Sequence, residues 1–131
     1  MPPSEFVVAN AQNRAGDGWD DPVHGKVTWR TLISADLAPT DSLSAGVAEI
    51  EPGCRLKLHR HSPSEIYFVV EGTGIVTVDG RDQTVVVGDA VFIPGDAEHG
   101  IRNESGRLLR FFYAFATDTF NEVAYRFPDA E

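Results

Sequence analysis

Between residues 39 and 106 a turn former recurs at short intervals, and the stretches between turns are brief and rich in Val, Ile, Phe, Tyr and Thr. Stretches this short, spaced as successive hairpins, leave no room for helices that could cover a core. They are the pattern of an all-β sandwich or barrel. The spacing predicts strands over 26–34, 43–51, 56–61, 66–71, 74–79, 83–87, 90–93, 99–103 and 108–115. Glycine and proline supply the corners at Glu51-Pro52-Gly53, Pro94-Gly95-Asp96 and Glu104-Ser105-Gly106, and Asp79-Gly80 suits a type I′ hairpin. Residues 14–22, with two glycines and three aspartates, read as a loop, and 117–123 as a short helical turn or a bend. The 131 residues fit one domain, divided into an N-terminal segment and loop over 1–25, a barrel over 26–116, and a tail over 117–131 that packs near its mouth.

Charge narrows the partners. Eleven Lys and Arg against twenty Asp and Glu give a net charge of −9, and no basic run offers a patch to phosphate. Nucleic acid and anionic membrane surfaces are therefore excluded as expected partners, and a small molecule is the expected one. Cys54 is the only cysteine, so no internal disulfide and no CxxC metal or redox motif exists, and Cys54 is assigned no chemistry. With no basic leader and no long apolar run, the expected location is the cytoplasm.

Chemistry concentrates at the histidines. His59 and His61 are two apart, which sends both imidazoles to one face of an extended strand. Glu65 follows after a corner at Ser62-Pro63-Ser64, and His99 lies on a later strand. Convergence of the four gives three neutral imidazoles and one carboxylate, a set that suits one divalent transition metal (Fe, Mn, Ni, Co, Cu or Zn) and leaves open positions for a ligand. Taken alone, the spacing also admits ordinary polar residues that bind nothing.

The surroundings of these residues separate the two possibilities. Gly53-x5-His59-x-His61-x3-Glu65-x6-Gly72 and Gly88-x5-Pro94-x4-His99-x3-Asn103 are the two motifs of the cupin superfamily, which the chain resembles from about Leu43 to Phe115. One position departs: where the family usually carries glycine two residues after the motif proline, this chain has Asp96 with Gly95 before it, which points to a turn shifted by one residue. The resemblance implies an all-β cupin fold, a double-stranded β-helix of jelly-roll type, and a homodimer. It does not imply a reaction, because the fold hosts lyases, dioxygenases, decarboxylases, isomerases and plain binders.

Tyr67 shares a strand face with Glu65, so its phenol points into the same cavity. A divalent cation there favours the phenolate and would make Tyr67 a general base, whereas a tyrosine that only fills the barrel would do no chemistry. Leu43 to Gly53, His61 to Tyr67, Ala97-Glu98-His99 and Thr117 to Tyr125 are also similar to the small cupin lyases that cleave dimethylsulfoniopropionate. That resemblance implies metal ligation by His59, His61, Glu65 and His99, places Tyr67 and Tyr125 in the active site, and makes Tyr67 the candidate base. The implied reaction is β-elimination on a small carboxylate, yielding dimethyl sulfide and acrylate. Trp29, Tyr113 or Tyr125 could cradle the sulfonium by cation–π attraction. A cupin dioxygenase or isomerase, or a non-catalytic binder of small molecules, remains the alternative. Of the other residues, Phe111, Tyr113 and Phe115 read as core and His24 as surface. Arg55 or Lys57, sharing the parity of His59, could reach the pocket rim and hold a carboxylate, although a solvated strand end is the expected place for both.

Overall fold

The computed structural model describes residues 6–128, so the outer ends of the N-terminal segment and of the tail lie outside the described residues. Ten strands follow in chain order: β1 (Gly16–Asp21), β2 (Gly25–Ile33), β3 (Ser44–Ile50), β4 (Arg55–His59), β5 (Glu65–Glu71), β6 (Thr73–Val78), β7 (Arg81–Val86), β8 (Ala90–Ile93), β9 (His99–Arg102) and β10 (Leu109–Phe115). They pair antiparallel in the order β7-β6-β9-β4-β2-β3-β10-β5-β8, with β1 added beside β2. A single pairing, Gly25 with Leu56, links β2 to β4 and so joins the two halves of the curled sheet. The all-β architecture is thus as expected, and the short turn near 117–123 is a 3₁₀ helix over Phe120–Glu122. Among the described residues no helix is long and apolar enough to cross a membrane.

Strict alternation decides which side chains face inward. In β10, Leu109, Phe111, Tyr113 and Phe115 are buried while the residues between them are partly exposed. Strand register then lines these residues up with their neighbours on the same face. One row across the sheet runs Asp17, Trp29, Ala48, Phe111 and Val69, and the next runs Thr31, Gly46, Tyr113, Tyr67 and Val91. The closed end of the interior is filled by Ile50, Val69, Val76, Ile101 and Leu109, none more than 2% exposed. Burial of each such side chain contributes about 1.5–3 kcal/mol.

Within the segment 14–22, Gly16–Asp21 form a strand and not the expected loop. Its residues pair in register with β2, Gly16 opposite Arg30 through Asp21 opposite Gly25. The aspartates that lower its strand propensity sit at or near solvent, while Trp19 packs inward against Trp29 at 4.8 Å between ring centroids. The connection is a tight turn in which Asp21 Oδ1 accepts from the backbone N–H of Val23 and His24, and Gly25 takes a φ of +94°.

Gly46 is required by close approach. A Cβ built there would lie 2.4 Å from the Tyr113 hydroxyl and 2.8 Å from the Arg30 carbonyl oxygen. The tyrosine could swing away from a methyl group, but the β2 backbone could not. Gly46→Ala is therefore expected to cost about 1–3 kcal/mol, read as a lowered thermal midpoint, and to displace Tyr113 from the interior. A variant with an unchanged midpoint would show that the barrel yields at this point.

Candidate metal centre

β4 ends at His59, and yet His61 still converges with it because Arg60 continues the extended backbone by bridging to Arg126 of the tail. His99 opens β9 directly opposite His59 in the β4–β9 register. The ligand atoms of the three buried imidazoles lie within 4.8 Å of one another. In each, Nδ1–H donates to a main-chain carbonyl two residues away: Lys57 O at 2.8 Å from His59, Pro63 O at 2.9 Å from His61, and Ala97 O at 2.9 Å from His99. That bond fixes the ring and turns Nε2 toward the interior.

Glu65, at the start of β5, brings Oε1 to 3.0 Å from Nε2 of His61 and 3.1 Å from Nε2 of His99. With Nδ1–H already committed, each Nε2 can meet a carboxylate favourably only through a second proton or a shared cation. Burial of Glu65 opposes its ionisation, but the hydrogen bonds and charge of His61 and His99 outweigh burial and hold the carboxyl below its ordinary value. His59 is driven the other way. Burial, reinforced by His99, pushes its pKa down to about 3, so it is a neutral imidazole with an inward lone pair. A neutral donor, two imidazoles that need a cationic partner and an ionised carboxylate fit a divalent transition metal.

A pocket of about 270 Å³ opens beside this cluster, lined by His59, Glu65, Tyr67 and a set of aromatic rings. Tyr67 is 1% exposed, and its buried hydroxyl has no hydrogen-bond partner. In the protein alone, burial and then the Glu65 charge push this phenol well above its ordinary range, opposite in sign to the lowering expected beside a cation. Tyr125 does reach the site: its ring lies 5.6 Å from that of His61 and 6.1 Å from that of His59, and it lines the pocket. Phe111, Tyr113 and Phe115 are core as expected, and they also form pocket wall.

Two expectations need correction, and one open reading is settled. Arg55 and Lys57 do not reach the pocket rim. A register shift between Leu56 and His59 breaks the period of two, so Leu56 lines the pocket while Arg55 and Lys57 border a separate groove with Arg102. The turn after Pro94 is not shifted either. Asp96 itself adopts a φ of +63°, and Gly95 is needed because a Cβ there would lie 2.4 Å from the Ser62 carbonyl oxygen. Nor is His24 a plain surface residue, since it stacks on Trp19 at 4.4 Å and meets Phe127 at 4.5 Å. Sequence reasoning missed Asp17, Trp19, Thr31, Phe120 and Asn121 as pocket residues. For Trp19 the signal was a lone large aromatic within an aspartate-rich stretch.

A curled antiparallel sheet enclosing three converging imidazoles defines a cupin. A family model described as Cupin domain matches residues 46–115, and the chain belongs to that family. Within it, the chain is 45% identical over 119 residues to dimethylsulfoniopropionate lyase DddW of Ruegeria pomeroyi, covering 90% of this chain and 77% of the relative. Gentisate 1,2 dioxygenase 1 of Aquipseudomonas alcaligenes is 46% identical over 71 residues, which are 53% of this chain and 20% of that protein. Among solved structures, the polyketide cyclase RemF from Streptomyces resistomycificus superposes with a TM-score of 0.79 at 20% identity, covering 97% of this chain and 88% of that one, which shows the shared fold.

Metal content checks the centre. Purified protein is expected to hold about one equivalent of a divalent transition metal, and a His59→Ala, His61→Ala double variant to hold little. Equal content in the two proteins would remove the site.

Proposed function

We propose that the chain is a metal-dependent carbon–sulfur lyase that cleaves dimethylsulfoniopropionate to dimethyl sulfide and acrylate, with His59, His61, Glu65 and His99 holding the metal. The carrying observation is Tyr67, which lines a pocket large enough for a small carboxylate and whose hydroxyl is buried without a hydrogen-bond partner on the strand face it shares with Glu65. The similarity to the Ruegeria pomeroyi lyase supports the choice of substrate.

A divalent cation bound by the four residues supplies positive charge that attracts the substrate carboxylate and offsets negative charge growing beside it. Tyr67, as phenolate, takes the proton from the carbon next to that carboxylate. The electron pair of the broken C–H bond becomes the new C=C bond, the C–S bond breaks, and its pair leaves on sulfur as neutral dimethyl sulfide. Tyr125 closes the pocket over the histidines, where its ring packs edge-on to Trp19. The aromatic lining lowers the polarity beside the buried His59 and Glu65, so charges there are screened less than in water. The dioxygenase relative supports a second reading, an oxygen-dependent cupin, which oxygen uptake with aromatic diol acids would reveal.

Headspace assay of metal-loaded protein tests the reading directly, since no dimethyl sulfide above the no-enzyme rate would sink it. In Tyr67→Phe the ring stays and the hydroxyl goes. Activity is expected to fall by about two to four powers of ten, with metal content and thermal midpoint nearly unchanged. Turnover near the wild-type rate would return Tyr67 to a packing role. Tyr125→Phe is expected mainly to raise KM, and a selective loss of kcat would instead make it a participant in proton transfer.

A further inference from the structure

The pocket wall contains two carboxylates, Glu65 beside the histidines and Asp17 on β1. The proposed chemistry employs Glu65 and leaves Asp17 without a task. Asp17 stands opposite Trp29 in the β1–β2 register, on the strand face that also carries Trp19. A continuous series of rings connects this face to the histidines: Tyr125 lies 5.6 Å from His61, Trp19 lies 5.4 Å from Tyr125, and Trp29 lies 4.8 Å from Trp19. Asp17 Oδ1 accepts from the N–H of Gly18 at 2.8 Å, and no described cation pairs with the carboxylate. Aromatic faces beside an uncompensated negative charge attract a cation that neither donates nor accepts hydrogen bonds.

We propose that Asp17, together with Trp19, Trp29 and Tyr125, forms a subsite for an onium cation, a sulfonium or quaternary ammonium, and that Asp17 sets the preference for a charged over a neutral tail. The inference rests on the lyase reading for its particular substrate, and it names the residue that selects that substrate. It carries a kinetic signature. In the elimination the sulfonium loses its positive charge as the C–S bond breaks, so its attraction to Asp17 is strongest in the ground state and fades toward the transition state. Such an interaction lowers KM without raising kcat. Removing the charge therefore raises KM and leaves kcat the same or slightly higher, the reverse of what loss of a base would do.

Two carboxylates of one shape separate tail charge from fit: 3-(trimethylammonio)propionate, whose tail is cationic, and its isostere 4,4-dimethylpentanoate, whose tail is uncharged, each titrated calorimetrically into the metal-loaded protein. Wild type is expected to bind the ligand with the cationic tail about tenfold more tightly. In Asp17→Asn, which keeps the oxygen that accepts from Gly18, the preference is expected to fall to about parity, with affinity for the ligand with the uncharged tail nearly unchanged. Asp17→Glu should restore part of it. Wild-type protein that binds the two equally, or binds neither, overturns the subsite. So does an Asp17→Asn variant that keeps the preference or weakens both ligands alike. The lyase reading is judged separately by release of dimethyl sulfide. A cation preference without release supports the subsite and removes the lyase, whereas release with a dimethylsulfoniopropionate KM unmoved by Asp17→Asn removes the subsite alone.

Discussion

Each of the three interior imidazoles gives its Nδ1–H to a backbone carbonyl only two residues away, and the rest of the centre follows from those bonds. A carbonyl cannot donate, so the tautomer is fixed and the free nitrogen is turned inward before any ligand arrives. The bonds are local in sequence but depend on global shape. Ala97 and Pro63 lie in turns, and those turns hold their course only because strands on either side are paired. Burial then does the remaining work, holding His59 neutral while Glu65 keeps its charge through two neighbours. Preorganisation of this kind means that the ordering entropy of the ligands is met by folding and not by binding.

The tail is joined to the centre through one unusual turn. The N–H of Asp96 donates to the His61 carbonyl, its own carbonyl accepts from Arg60, and its side chain pairs with Arg126. Arg126 in turn bridges Arg60, and its neighbours Tyr125 and Phe127 pack against His61 and His59. An aspartate tolerates the left-handed backbone here and adds a carboxylate that glycine could not offer. The departure from the family pattern thus fastens the aromatic cover to the ligand loop.

Much of this was legible before any coordinates. Strand positions from 26 to 115 emerged because alternation and turn residues act locally, and the convergence of His59, His61 and His99 was readable because their spacing is tied to that alternation. What was hidden depends on pairing partners. Residues 14–22 carry too many Asp and Gly to signal a strand, and Gly16–Asp21 become one only because β2 offers a free edge and Trp19 finds rings to cover. The reach of Lys57 stayed open because a bulge, invisible to a parity count, intervenes before His59. Asp96 could be seen as an exception but not as a fastening, since Arg126 is distant in sequence.

The family match spans residues 46–115 and includes every proposed metal ligand, whereas Asp17, Trp19, Trp29 and Tyr125 all fall outside it. The molecule is therefore modular in a sense its single sheet conceals. One part carries the proposed metal ligands, and flanking segments that add to its edges carry the wall proposed to judge the guest. Substitutions in the flanks can accumulate without touching the motif, so descendants of one ancestor could diverge in diet while sharing an unaltered heart.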